Sequence, residues 1–163
     1  KDNGYFDNQK LENIKLSHPR TLFYNNVPDI IIFGVGGIMS EVEVVSKRLL
    51  DSGYKVQCYS IHSLKPLNLN NLLNDIKNTS LIVTVEENNL IGGFGSFIIE
   101  KMIEIGVNVN RRNTLRLGIK DVYAETVGSQ DYLRRLFKID SDSIATKIIE
   151  LYKECIIIKG ANN

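Results

Sequence analysis

Tryptophan is absent, and the chain holds only two methionines, three prolines, two histidines and two cysteines. Cys58 and Cys155 lie far apart and form no CxxC or metal spacing, which excludes a disulfide framework and a zinc site of the usual kinds. Both read as reduced thiols, Cys58 within a buried strand, and this fits a cytoplasmic chain. With two histidines and no nucleophile beside either, there is little material for acid–base or triad chemistry. Charge of one sign is also missing: 20 basic against 19 acidic residues leave a net charge of +1. Nothing in that balance draws the chain to nucleic acid or to an anionic membrane. The arginine pairs Arg111-Arg112 and Arg134-Arg135 read as solvated edges. Long hydrophobic runs are lacking too. The run Ile30-Ile31-Ile32-Phe33 is far shorter than a membrane span, and no secretory signal opens the chain. Lys1 stands first instead of Met, which points to a trimmed or processed piece of a longer polypeptide.

What is present is an ordinary globular composition, 43% hydrophobic and 24% charged over 163 residues, enough for one domain with a core of its own. Residues 1–20 are polar and weakly patterned and read as a linker or arm. Residues 21–24 form a short extended piece that ends at the turn signal Asn25-Asn26. A regular alternation follows. Residues 29–33 are continuously apolar, the habit of a parallel strand buried on both faces. Gly34-Val35-Gly36-Gly37 makes a tight loop, and Ser40 is placed to cap a helix reaching Asp51, with Val42, Val45 and Leu49 at helical spacing. Further strands are expected at 56–61, 81–85 and 114–117, and helices at 69–76, 93–105, 129–136 and 141–153, the last capped by Asp140 or Ser141. Residues 86–92 read as a loop, and Cys155–Ile158 as either a frayed helix end or a short strand. Strands alternating with helices predict a three-layer α/β/α sandwich around a mostly parallel five-stranded sheet. The 21–24 piece should be its antiparallel edge strand, since the Asn25-Asn26 turn is too tight for a parallel crossover. The domain is expected at 21–153, with a tail at 154–163.

Four features could carry chemistry. Gly34–Gly37 and Gly92-Gly93-Phe94-Gly95-Ser96 each follow a strand and open a helix, where backbone N–H groups can hold a phosphate. Neither matches a dinucleotide fingerprint, and no P-loop lysine is present. Glycine also lets such a turn close and the helix pack on the sheet without any ligand. His62 follows a strand and could face a neighbouring domain; His18 sits in the polar arm beside Pro19. Glu86 and Glu87 are adjacent, so on a strand they point to opposite faces and are not a catalytic pair. Glu86 is expected to accept hydrogen bonds from its own glycine loop or from a neighbouring subunit and to perform no proton transfer, with Gly92 or Gly93 at positive φ or too crowded for a Cβ; the other glutamate is expected in solvent.

Three stretches together resemble the transketolase C-terminal domain family. The first is Ile61-His62-Ser63-Leu64-Lys65-Pro66-Leu67-Asn68, similar to that family's "KPL(D)" loop with Asn68 for the usual Asp. The second and most specific is residues 83–96, TVEE followed by GGFGS within VTVEENNLIGGFGS. The third is Leu117-Gly118-Ile119-Lys120-Asp121 followed by Gly128-Ser129-Gln130 and Leu133, similar to "LGIPD…GSQ…LL" with Lys120 where Pro is common. The resemblance covers residues 21–153 and implies one part of a transketolase-like enzyme that transfers a two-carbon ketol unit between sugar phosphates. It implies that thiamine diphosphate and magnesium are held by two other domains, which this chain lacks, so no catalytic, cofactor-binding or metal residue is expected here. Residues 1–20 then read as the linker from a missing pyrimidine-binding domain. The domain's expected role is assembly, within a homodimeric full enzyme, with His62, Glu86, Gly92, Gly93, Gly95 and Ser96 as a candidate interface or anion site. The same domain of a 1-deoxyxylulose-5-phosphate synthase is the near alternative. A free-standing module holding a small anion at the Gly92–Gly95 helix start and a separately encoded assembly subunit are the other readings.

Overall fold

The computed structural model describes residues 15–122 and 126–161, with side chains up to Ile157. Five strands form one sheet: β1 Arg20–Phe23, β2 Ile30–Gly34, β3 Val56–Ser60, β4 Leu81–Asn89 and β5 Thr114–Ile119. The order across the sheet is β1-β3-β2-β4-β5. β2 pairs in parallel with both β3 and β4, and β4 with β5, while β1 lies antiparallel on the outer side of β3. Five helices cover it: α1 Met39–Asp51, α2 Leu73–Asn78, α3 Phe94–Glu104, α4 Gln130–Leu136 and α5 Ser141–Ala161. This is the expected α/β/α sandwich with one antiparallel edge.

Alternation along the strands builds two cores. Ile30, Ile32, Cys58, Leu81, Val83 and Val85 face Val42, Val45 and Leu49 of α1 and Ile144 and Ile148 of α5. Ile31, Phe33, Tyr59 and Ile82 face Ile76, Phe94, Ile98 and Met102 of the α2–α3 layer. Because both sheet faces are covered, the central strands carry no polar side, which is why they read as continuous apolar runs.

Several local expectations are corrected. β1 does not form a hairpin with β2; it pairs with β3, Arg20 opposite Ser60 and Thr21 opposite Tyr59. Running antiparallel, β1 ends at the edge where β2 begins, so the 24–29 connection passes the start of β3 without a crossover helix. Ser40 is not an N-cap. A 3-10 turn at Gly36–Ile38 leads directly into α1, and the Ser40 hydroxyl donates back to the Gly37 carbonyl at 3.1 Å. β4 continues through Asn89, over residues expected in a loop, with a register shift against β5 between Val85 and Asn89. The α2 segment is split into a 3-10 turn at Asn70–Leu72 and a short helix. Cys155–Ile158 is helical, since α5 runs on to Ala161. One cap falls where expected: Asp140 accepts from the Ser143 N–H at 3.1 Å. Ser129, expected as the first residue of its helix, is its N-cap instead and accepts from the Tyr132 N–H at 3.2 Å.

Both cysteines are buried, and neither is in a disulfide. Burial pushes the Cys58 thiol from 9.0 up to about 12, so between those values the folded state keeps a proton that the unfolded chain releases. The sign follows from linkage: this stability is intact below pH 9.0 and is lost as pH rises toward 12, by up to about 1.4 kcal/mol per pH unit for one proton. Urea unfolding at pH 8, 9, 10 and 11 should show the decline, and Cys58→Ala should remove the part that sets in below pH 10, while burial of Tyr59 and Tyr152, which holds both hydroxyls above 10.0, keeps a decline above it.

Candidate functional site

The carboxyl ends of β2, β4 and β5 carry the segments singled out in the sequence. On β4 the pleat sends Glu86 to the α3 side and Glu87 to the α1 side. Glu86 is fully buried. The Phe94 N–H donates to its Oε2 at 2.7 Å and the Gly95 N–H to its Oε1 at 2.8 Å. Each carboxylate oxygen therefore holds one of the unpaired donors at the start of α3, with the positive end of the helix dipole facing it. Charge-assisted bonds of this length are the strong kind.

Glycine makes that approach possible. A Cβ on Gly93 would lie 2.1 Å from the Asn89 carbonyl oxygen and 2.2 Å from Glu86 Oε2. Gly92 sits at φ +71 with open space beyond it, so its demand is conformational and that of Gly93 is steric. The turn is tied down from several sides. The Ser96 hydroxyl donates to the Leu90 carbonyl at 3.0 Å, and Arg116 Nη2 donates to the same carbonyl and to Ser96 Oγ. The Ile91 N–H donates to Asn89 Oδ1 at 2.8 Å, and the Leu90 N–H to the Ile119 carbonyl at 2.8 Å.

Glu87 is not in solvent as expected, and Arg134 is not a solvated edge. Arg134 is 6% exposed. Its Nε donates to Glu87 Oε1 at 2.7 Å, its Nη1 to Glu41 Oε1 at 3.2 Å and its Nη2 to the Gly37 carbonyl at 3.0 Å. Gln130 Nε2 adds a bond to Glu87 Oε1 at 3.1 Å, and Glu41 Oε2 accepts from the Ser141 N–H at 2.8 Å. Burial pulls the Arg134 guanidinium down, but Glu87 and Glu41 outweigh it and hold it above its ordinary value. The physical reason for the correction is that two carboxylates converge on this one side chain. The signal was available: Gln130 and Arg134 are one helical turn apart on α4, so they share a face.

Of the candidate residues, the fold brings together Glu86, Gly92, Gly93, Gly95 and Ser96. His62 stands apart after β3, exposed, with Nε2 3.3 Å from the Lys15 carbonyl oxygen; β2 lies between β3 and β4. Among the described residues no three His, Cys, Asp or Glu side chains gather into a possible metal site. The α3 start is served by the chain's own Glu86 carboxylate, while at the turn before α1 Glu87 and Glu41 hold Arg134, which donates to the Gly37 carbonyl. A diphosphate at the start of α3 would meet the Glu86 carboxylate, so these residues do not fit a bound thiamine diphosphate or a free phosphate there.

Residues 23–144 match the family model "Transketolase, C-terminal domain". The fold and this match define a transketolase-type C-terminal domain, and the chain belongs to that family. Among curated proteins it is similar to the 1-deoxy-D-xylulose-5-phosphate synthase of Syntrophotalea carbinolica, 34% identical over 74% of this chain and 18% of that protein. It is also similar to one of the subunits of the apulose-4-phosphate transketolase of Actinobacillus succinogenes, 29% identical over 75% of this chain and 38% of that protein. Among solved structures, a split-gene transketolase described as an inactive beta4 tetramer shares the fold at TM-score 0.66, with 21% identity over 82% of this chain and 42% of that one. A transketolase of Campylobacter jejuni shares it at TM-score 0.64, with 10% identity over 88% of this chain and 20% of that one. The chain thus spans about a fifth to two fifths of the length of these relatives.

The two glycines should separate by mechanism in thermal melts. Gly93→Ala forces the Glu86 clasp open and should destabilise by about 2–4 kcal/mol, while Gly92→Ala keeps the clasp and should lose only about 1–2 kcal/mol to left-handed strain. For the second network, Arg134→Met leaves two carboxylates facing each other and should destabilise by about 2 kcal/mol. Adding Glu87→Gln should recover part of that loss, read as a coupling energy in a double-mutant cycle.

Proposed function

We propose that this chain is the assembly-supporting C-terminal domain of a thiamine-diphosphate-dependent, transketolase-like enzyme that moves a two-carbon ketol unit between sugar phosphates. The observation that carries the reading is partial coverage: three quarters of this chain aligns with the subunit of the apulose-4-phosphate transketolase while accounting for only 38% of it. The rest of the enzyme then supplies the domains that bind thiamine diphosphate and magnesium, where the cofactor provides the carbanion chemistry and protein provides binding and orientation. The internal commitment of Glu86, Glu87 and Glu41 supports a domain without proton-transfer work of its own. His62, and the exposed turn that Gly92, Gly93, Gly95 and Ser96 shape around Glu86, are its candidate contacts with the rest of a homodimeric, cytoplasmic enzyme. Among the described residues, no helix is long and apolar enough to cross a membrane.

One observation favours a second reading. The 34% identity to a 1-deoxy-D-xylulose-5-phosphate synthase fits the same domain equally well to an enzyme of that activity. An anion-binding module gains no such support, because the α3 start is already filled by Glu86.

Calorimetry with thiamine diphosphate and magnesium tests the domain's role. The isolated chain should give no binding heat, and the full enzyme should. Tight binding by the isolated chain would overturn the reading. Product analysis of the full enzyme then separates the two activities: a ketose phosphate with a hydroxymethyl C1, made from two sugar phosphates, supports the first, and 1-deoxyxylulose 5-phosphate, with a methyl C1, the second.

A further inference from the structure

The carboxyl edge of the sheet exposes four apolar side chains. Leu16 is 74% exposed, Leu64 40%, Ile91 73% and Val122 57%. They come from four separate segments: the entry to β1, the loop after β3, the turn after β4 and the end of β5. Two of these segments are locked together. Asn89 Nδ2 donates to Asp121 Oδ1 at 3.2 Å, and the Leu90 N–H to the Ile119 carbonyl at 2.8 Å, so Ile91 and Val122 project from neighbouring tips.

The Ile91 tip is held rigid by its surroundings. Arg116 and Ser96 hold the Leu90 carbonyl, Asn89 holds the Ile91 N–H, and Gly92 at φ +71 turns the chain into the clasped α3 start. A branched aliphatic side chain with few rotamers, displayed on a tip that loses little further freedom, has the character of an interface anchor. The structure also shows what lies on this side. β1 is antiparallel, so the chain enters the domain at this same edge: Arg20 lies opposite Ser60, the Ser17 carbonyl accepts from the Asn68 N–H at 2.7 Å, and the Lys15 carbonyl faces His62. The matched family is by description a C-terminal domain, and the aligned part makes up only 18% and 38% of the two curated relatives. Their remaining length therefore mostly precedes the matched segment and arrives at this edge.

We propose that the carboxyl edge is the seat of the preceding domain of the assembled enzyme, with Ile91 as the principal anchor and Val122, Leu64 and Leu16 beside it, facing an apolar socket on that domain. This rests on the assembly reading above and names the surface through which it works.

The test uses the full enzyme. Ile91→Asp should speed protease cleavage between this domain and the preceding one by about tenfold or more, with this domain's own melting transition unchanged. Val122→Asp, on a different strand end, should repeat the effect without touching the 89–93 turn. Ile91→Leu and Val44→Asp, the latter on the 55% exposed outer face of α1, should cleave at the parent rate. Wild-type cleavage in both Asp variants at the tips, or equal acceleration by Val44→Asp, would overturn the proposal. Removal of residues 15–161 separates the two levels of the argument. If the truncated enzyme assembles and turns over normally, the assembly reading falls and the edge proposal with it. If truncation breaks assembly while the tip variants leave cleavage unchanged, only the edge proposal falls.

Discussion

The structure depends on a two-residue step of the β4 pleat. Glu86 and Glu87 are neighbours in sequence, yet one faces the α2–α3 layer and the other the α1–α4 layer. Through them a single central strand fixes the start of α3 on one side and, by way of Arg134, the glycine turn before α1 on the other. Glu41 carries the second connection one element further, to the start of α5. Two helices, α3 and α5, are thus held at their amino ends by carboxylates, where unpaired N–H groups and the helix dipole both favour negative charge, while the turn before α1 is held through the Arg134 guanidinium on the Gly37 carbonyl. Hydrophobic packing sets where the layers sit, and these charged contacts set how the helices are phased against the strands.

That arrangement also explains why the Gly92–Ser96 cluster, which looks like a ligand loop, does not offer its helix start to a ligand. A phosphate loop presents free N–H groups to an approaching anion. Here the anion is part of the chain, arriving from the strand beneath. The glycines serve close approach: Gly93 against Glu86, Gly37 against Glu87 and Arg134, and Gly118, whose Cβ would come within 2.8 Å of Glu86 Cγ.

Much of the fold was legible because its signals are local. Buried parallel strands announce themselves as unbroken apolar runs, and Asp140 caps the helix it precedes. The opposite orientation of Glu86 and Glu87 follows from strand geometry alone. What was not legible depends on contacts distant in sequence. The partner of β1 is decided by which strand occupies the edge, which a turn signal at Asn25-Asn26 does not reveal. Arg134 looks like surface until Glu41 and Glu87, far apart in the chain, are brought to it. The extension of β4 beyond Val85 is hidden for the same reason, since pairing with β5 is interrupted there and resumes only at Asn89 opposite Ile119.

The long helix α5 gives the molecule a direction in time. The Glu86 clasp spans eight and nine positions, so it can close soon after its residues are made. The bond from the Ser141 N–H to Glu41 spans 100 positions, and those from Arg134 to Glu41 and Gly37 span 93 and 97. During synthesis from the amino end, α1 and its side of the sheet stay without a cover until α4 and α5 have left the ribosome. One layer can therefore settle early, while the other waits, apolar face open, for α5.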